Sequence, residues 1–349
     1  EFKAFEGRHN FHVIYNGLNL ERIFKEAGKY DRKAARAELG VRDDELAVLL
    51  PGTICERKGQ QDLAHALEVL SSNCLKKIKG FIVGDWDNPL PYNRELHAIA
   101  GSLPPERRQR LSIQPVTPEI FKFYKAADIF VCTSKIESFP RIILEAMAFE
   151  LPIITTPVFG IQEQVQEGVN ALYYSPGDHK GLAKALERLI TEEGLRKRFS
   201  DNSACVLRQL ETFAEMVGGY ATLFKEAYLS IGPMARRPEG IQYPEVKNSV
   251  QDASIRKVTF LTSYKDENSQ RFRVYNLIEE LAQAGVECAV IKEDFAGNLD
   301  PVLDSDLLVA FRVGSSQDVR RIIGEFRRGG VPAIFDVDDL VFEPESADL

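Results

Sequence analysis

Cysteine is sparse. The 349 residues hold five, and no two show the two-residue spacing of a zinc knuckle or redox pair. Cys55, Cys74, Cys132, Cys205 and Cys288 are odd in number and far apart. That pattern argues against a disulfide framework and fits small buried thiols in a reducing cytoplasm. The five histidines are equally dispersed. His9 and His12 are close, but no cysteine or further histidine lies near them, so no structural metal site is expected. No run approaches the ~18 uncharged apolar residues needed to span a bilayer, and the start carries no signal-peptide pattern. Positive charge is also in deficit, with 44 Lys and Arg against 52 Asp and Glu, a net charge of −8. Broad nonspecific nucleic-acid binding needs cationic surface to displace phosphate counterions, and this balance argues against it. A small basic pocket for one phosphorylated ligand remains compatible.

What is present reads as an ordinary globular protein, 44% apolar and 28% charged, with length for about two domains of roughly 150 residues. The first residue is Glu1, not methionine, and the last, Leu349, follows shortly after an apolar strand. A piece of a longer chain is expected. Short apolar, β-branched runs occur at 12–15, 47–50, 80–83, 111–113, 129–132, 152–155 and 171–174. Amphipathic stretches such as 61–70, 118–127, 141–149 and 180–191 lie between them. Strands alternating with helices predict βαβ units and a parallel sheet, with ligand chemistry in the loops beyond the strands' carboxyl ends. Residues 230–255 break the pattern with Pro233, Pro238 and Pro244 and read as a linker. The alternation then resumes, with strands at 257–262, 287–291, 306–311 and 333–337 and a helix over 317–328. The fold class is therefore α/β, a Rossmann-like parallel sheet flanked by helices plus a second, partial one.

The richest segment is Glu137-Ser-Phe-Pro-Arg-Ile-Ile-Leu-Glu145, between an apolar strand and an apolar helix. Pro140 suits a first helical turn and Ser138 an N-cap. Glu137 then lies in the loop and Glu145 on the second turn, flanking a helix N-terminus whose N–H groups and dipole favour an anion. Two carboxylates beside such a site suit neutral hydroxyls. Taken alone, they read more readily as ordinary solvated helix-end charges. A second segment, Gly52-Thr-Ile-Cys-Glu-Arg-Lys-Gly59, places Arg57 and Lys58 in a strand-to-helix loop, where cations can meet a diphosphate. It has neither P-loop nor dinucleotide glycine spacing, which disfavours a Rossmann oxidoreductase.

Together these segments resemble the C-terminal, donor-binding half of a GT-B glycosyltransferase of the large retaining family 4. The likeness runs in order through Val13-Ile-Tyr-Asn-Gly17, Gly52 to Gly59, Gly84, Tyr124 to Val131, Ser134, the glutamate pair, Glu145-Ala-Met-Ala148, Leu151-Pro152, Gly160 with Glu163, Glu167 to Ala171, and the aromatic helix with Phe213, Tyr220, Phe224 and Tyr228. The resemblance implies a donor-binding domain over 1–229, the linker 230–255, and a partial GT-B N-terminal-like domain over 256–349. It makes Glu137 and Lys58 the candidate catalytic residues, holding the transferred sugar and the diphosphate. Gly52, Thr53 and Arg57 would complete the phosphate loop. Ser138, Phe139, Pro140, Arg141 and Ile142 would cradle phosphate, Glu145 would bind the ribose, and Val116 would lie beside the nucleobase. Thr53 stands where the family usually has Arg, and Pro140 where glycine is common.

The implied activity is retaining, metal-independent transfer from a nucleoside-diphosphate sugar to a glycan or lipid-linked acceptor, without a cofactor. It would belong to a multi-module polysaccharide-synthesis protein in the cytoplasm, with peripheral association at the inner membrane face compatible. The acceptor-side domain that such a cleft needs is missing before residue 12, so the chain alone is expected to be inactive. The alternative is a noncatalytic sugar-nucleotide-binding or scaffolding module, which Thr53 and Pro140 favour. In the second segment, Gln270-Arg-Phe-Arg-Val-Tyr-Asn276 resembles the first helix of an acceptor-side domain, and Arg271 and Arg273 read as cleft residues or, at least as well, as a solvated helix start. Asp336-Val-Asp338 superficially matches a metal-binding Asp-x-Asp, but carboxylates capping a strand end are the favoured account.

Overall fold

The computed structural model describes residues 12–85, 91–230, 255–263 and 274–336. Its contacts divide the chain into two compact units. Among the described residues, the first comprises those from 15 to 214 and the second those from 215 to 336 together with 12–14.

The first unit is built on six parallel strands: β1 (Leu46–Pro51), β2 (Ile78–Asp85), β3 (Leu111–Pro115), β4 (Ile129–Cys132), β5 (Ile153–Thr155) and β6 (Ala171–Tyr173). Their order across the sheet is β3-β2-β1-β4-β5-β6. The chain fills one half outward from β1, then returns to start the other half beside it, with Val48 opposite Ile129 and Leu49 opposite Phe130. This doubly wound order opens a crevice beyond the carboxyl ends of β1 and β4, where the helices depart to opposite faces.

Alternation along each strand feeds two cores. Val48, Leu50, Ile129 and Val131 pack with Leu63 and Leu67 of the helix Gln61–Val69 and Leu186 of His179–Thr191 on one face. Ala47, Leu49, Phe130 and Cys132 pack with Phe123 and Tyr124 of Ile120–Ala126 and Ile143, Leu144 and Met147 of Arg141–Ala148 on the other. Full burial of one Leu- or Phe-sized side chain contributes about 1.5–3 kcal/mol, so the two layers hold the strand ends rigid. All five cysteines are free thiols.

The run 12–15 forms no strand. Its residues make side-chain contacts in place of a ladder. Tyr15 Oη donates to Glu163 Oε2 at 2.6 Å, and Asn16 Nδ2 donates to the Phe139 carbonyl at 3.1 Å. Gly17 then passes so close to Thr212 that a Cβ would lie 2.4 Å from its carbonyl oxygen.

The second unit holds four parallel strands, β7 (Lys257–Thr262), β8 (Glu287–Lys292), β9 (Leu307–Phe311) and β10 (Ala333–Asp336), in the order β10-β9-β7-β8. Val319, Ile322 and Phe326 of Gln317–Arg328 cover Leu261, Leu308 and Ala310 on one face. The helix Phe213–Ser230 contributes buried Met216, Tyr220 and Phe224, a four-residue spacing that makes one stripe. Tyr220 Oη donates to Asp336 Oδ2 at 3.0 Å, at the carboxyl end of β10. Val337 and Asp338, Gln270 to Arg273, and the linker from 231 to 254 lie outside the described residues. No described helix is long and apolar enough to cross a membrane.

Candidate functional site

The loop after β1 is shaped by glycines. Gly52 has φ +132° and Gly84, at the end of β2, has φ +143°. A Cβ on Gly84 would lie 2.1 Å from the Gly52 carbonyl oxygen, so only glycine lets the two strand ends close this tightly. Buried Gln60 ties the loop from inside, its Nε2 donating to the Thr53 carbonyl at 2.9 Å. A short turn, Glu56–Lys58, ends at Gly59 with φ +65°. There a Cβ would meet the Thr133 carbonyl oxygen at 2.4 Å.

That approach joins the loop to the segment after β4. Thr133 Oγ1 donates to the Lys58 carbonyl at 2.6 Å, and Lys135 N donates to the Arg57 carbonyl at 2.7 Å. The Lys58 ammonium meets Glu137 Oε1, and Arg57 Nη1 reaches the same oxygen at 3.3 Å. Ser134 Oγ donates to it at 2.9 Å. Glu137 is only 5% exposed, so it is not a solvated helix-end charge. Two cations against one carboxylate leave one positive charge in excess beside the crevice.

The helix after Glu137 begins at Arg141, and Pro140 is its N-cap with ψ 123°. This corrects the expectation of Pro140 inside the first turn and Ser138 as cap. The physical reason is that neighbours hold residues 138–140. The backbone at Gly160 approaches Ser138 so closely that a Cβ would sit 1.5 Å from the Ser138 carbonyl oxygen. The Phe139 carbonyl accepts from Asn16, its ring packs 5.0 Å from Tyr15, and the Pro140 carbonyl accepts from Gln164 Nε2 at 3.1 Å. Pro140 offers no side-chain cap, and the positive dipole end of the helix at this N-terminus favours an anion.

Glu145 lies on the second turn. Tyr124 Oη donates to its Oε2 at 3.0 Å, and Arg141 Nη2 stands 4.0 Å from Oε1. Burial pushes the Glu145 carboxyl above its ordinary range, against the opposing pull of Arg141 and Tyr124. Burial and the neighbouring carboxylate push the Tyr124 hydroxyl well above its usual value, so it stays a neutral donor. The Tyr124 ring stacks on Phe149 at 5.1 Å.

Val116 is 46% exposed beyond β3, two strands from β1, and its N–H donates to the Asp85 carbonyl at 2.9 Å. The Asp85 carboxylate accepts from Asn93 Nδ2 at 2.8 Å and lies 2.7 Å from His97 Nε2. An open hollow of about 650 Å³, lined by Arg42, Asp44, Asn73, Lys76, Lys77 and Arg110, lies at the opposite, amino ends of the strands. Arg42 and Arg110 are committed there to buried Glu45, so the crevice after β1 and β4 is the better-founded site.

The structure thus brings Gly52, Thr53, Arg57, Lys58, Glu137, Ser138, Phe139, Pro140, Arg141, Ile142 and Glu145 to the carboxyl ends of two adjacent strands. The sequence reading gave no role to Thr133, Ser134, Tyr124 or Gly160. Two hydroxyl residues directly after an apolar strand were the available signal for Thr133 and Ser134. Gly160 and Tyr124 act through packing partners far away in the chain.

Residues 31–204 match the family model described as glycosyl transferases group 1. This segment is similar to the group 1 glycosyl transferases. The matched segment contains all six strands of the first sheet and every site residue named above. The chain is 29% identical over 225 residues to a D-inositol 3-phosphate glycosyltransferase of Streptomyces bingchenggensis, covering 60% of this chain and 49% of that protein. It is 25% identical to the capsular polysaccharide biosynthesis glycosyltransferase CapM of Staphylococcus aureus, covering 54% of this chain and 47% of that one. The chain therefore spans about half the length of these relatives. Anabaena HepE in complex with UDP superposes with a TM-score of 0.53 at 24% identity, over 62% of this chain and 57% of that one. The group 1 segment thus has the α/β fold of known glycosyltransferases.

Proposed function

We propose that the first unit binds the nucleoside-diphosphate sugar donor of a retaining, metal-independent glycosyltransferase. In this reading the parent protein transfers the sugar to a glycan or lipid-linked acceptor. The observation that carries it is the meeting of Lys58, Arg57 and Glu137 beside the N-terminus of the helix Arg141–Ala148. Lys58 and the first-turn N–H groups take the diphosphate, Glu137 takes sugar hydroxyls and Glu145 takes the ribose. Val116 flanks the base. The HepE complex with UDP supports a uridine nucleotide as the first ligand to try.

The chemistry follows from charge. As the bond between the anomeric carbon and the phosphate oxygen breaks, its electron pair moves to that oxygen. Lys58 and the helix N-terminus already stand where this charge grows, so they stabilise the transition state more than the ground state. Relatives and their names support a role in surface-polysaccharide assembly. The second unit would then belong to another module of the same protein.

Calorimetric titration of UDP, GDP and their sugar conjugates against wild type, Lys58→Ala and Glu145→Ala tests the reading. Binding to wild type and weakening in both variants are expected. Binding of NAD with no response to sugar nucleotides overturns it. A noncatalytic sugar-nucleotide module is the second reading, favoured by exposed Thr53 in the phosphate loop and by Pro140, which has no N–H to give. Turnover in the parent protein that Glu137→Ala leaves unchanged would favour that second reading.

A further inference from the structure

We propose that Ser134 is a positioning residue for the donor's sugar, its hydroxyl fixing which oxygen of Glu137 faces that sugar. The inference rests on the donor-binding reading above. Ser134 is 1% exposed and follows β4 directly. Its Oγ donates to Glu137 Oε1 at 2.9 Å and accepts from Cys132 Sγ at 3.5 Å. Its carbonyl accepts from the hydroxyl of Thr156, fully buried just beyond β5. The serine is thus pinned on both sides, and its one hydroxyl proton is spent on a site carboxylate.

Every contact of Glu137 among the described residues falls on Oε1: the Lys58 ammonium, Arg57 at 3.3 Å and Ser134. Oε2 is therefore the oxygen left to accept from a sugar hydroxyl. Two of the three donors are cations, and a diphosphate competes for both. As Lys58 and Arg57 turn toward phosphate, their hold on Glu137 slackens. The Ser134 hydroxyl is neutral and buried, so phosphate does not draw it away. It keeps the carboxylate oriented in the one state where orientation matters.

This assigns Ser134 to recognition of the sugar and not of the nucleotide. The test titrates UDP and UDP-glucose, and in parallel GDP and GDP-mannose, against wild type, Ser134→Ala and Ser134→Thr. Ser134→Ala is expected to keep nucleoside-diphosphate affinity within about twofold and to weaken the matching sugar nucleotide about tenfold, as for one lost hydrogen bond to a charged group. Ser134→Thr, which keeps the hydroxyl, restores it. If Ser134→Ala melts early, Ser134→Cys, of similar volume and a weaker donor, shows the same sugar-selective loss. Equal weakening of nucleotide and sugar nucleotide, or no change in either, overturns the proposal. Failure of wild type to bind any of the four ligands overturns the functional reading itself, and this inference with it.

Discussion

Lys58 and Glu137 form a pair that is mostly withdrawn from solvent, with side chains 14% and 5% exposed. Such pairs are weak evidence for stability, because desolvating both charges offsets much of their attraction. Their placement is better explained by the ligand that would separate them. On the proposed donor-binding reading, Lys58→Ala is expected to lower sugar-transfer turnover about 10²–10³-fold, the loss typical of one preplaced donor, measured as initial rate at saturating donor. Glu145 carries a different expectation. Its carboxyl is raised by burial, so the folded chain holds a proton that the unfolded chain releases sooner. The associated stability is complete below the ordinary carboxyl value and is lost as pH rises through the raised one. Glu145→Gln removes that loss. Its melting temperature should therefore equal or exceed wild type at pH 7.5, while nucleotide affinity falls. Tyr124→Phe leaves the buried carboxylate one donor short, and donor affinity should fall about tenfold by calorimetry.

Among elements, the β-branched runs were easily legible. The strand at 129–132 and the helix at 317–328 fall where their residue patterns place them. Short apolar runs between turn residues and a 3.6-residue apolar repeat are local signals, and tertiary packing reinforced them here. Residues 12–15 carried the same apolar signal but take no strand partner, because Tyr15 and Asn16 are drawn to Glu163 and Phe139. The start of the helix at Arg141 slipped by two residues for a comparable reason, since Gly160 and Gln164 hold the chain before it. Gly160 has no room for a methyl group against the Ser138 carbonyl. Gly160→Ala should cost about 1–3 kcal/mol or more in urea denaturation and weaken nucleotide binding by displacing residues 138–140.

For the whole molecule, two units with separate sheets mean that no single unfolding free energy describes the chain. Phe224 is 1% exposed within the second unit. Phe224→Ala should destabilise that unit by about 3–5 kcal/mol, read by hydrogen exchange at β7 and β9. The sequence by itself determined the alternating elements, and through their alternation the parallel class of sheet, because strand and helix periods are local residue patterns. It left Glu137 and Glu145 open as ordinary solvated charges. Only the tertiary structure set Lys58 against Glu137, 79 residues on, with Ser134 and Thr133 between them. The reason is the strand order: β1 lies beside β4, with the two intervening strands β2 and β3 on the other side of β1, and no local pattern encodes that neighbour.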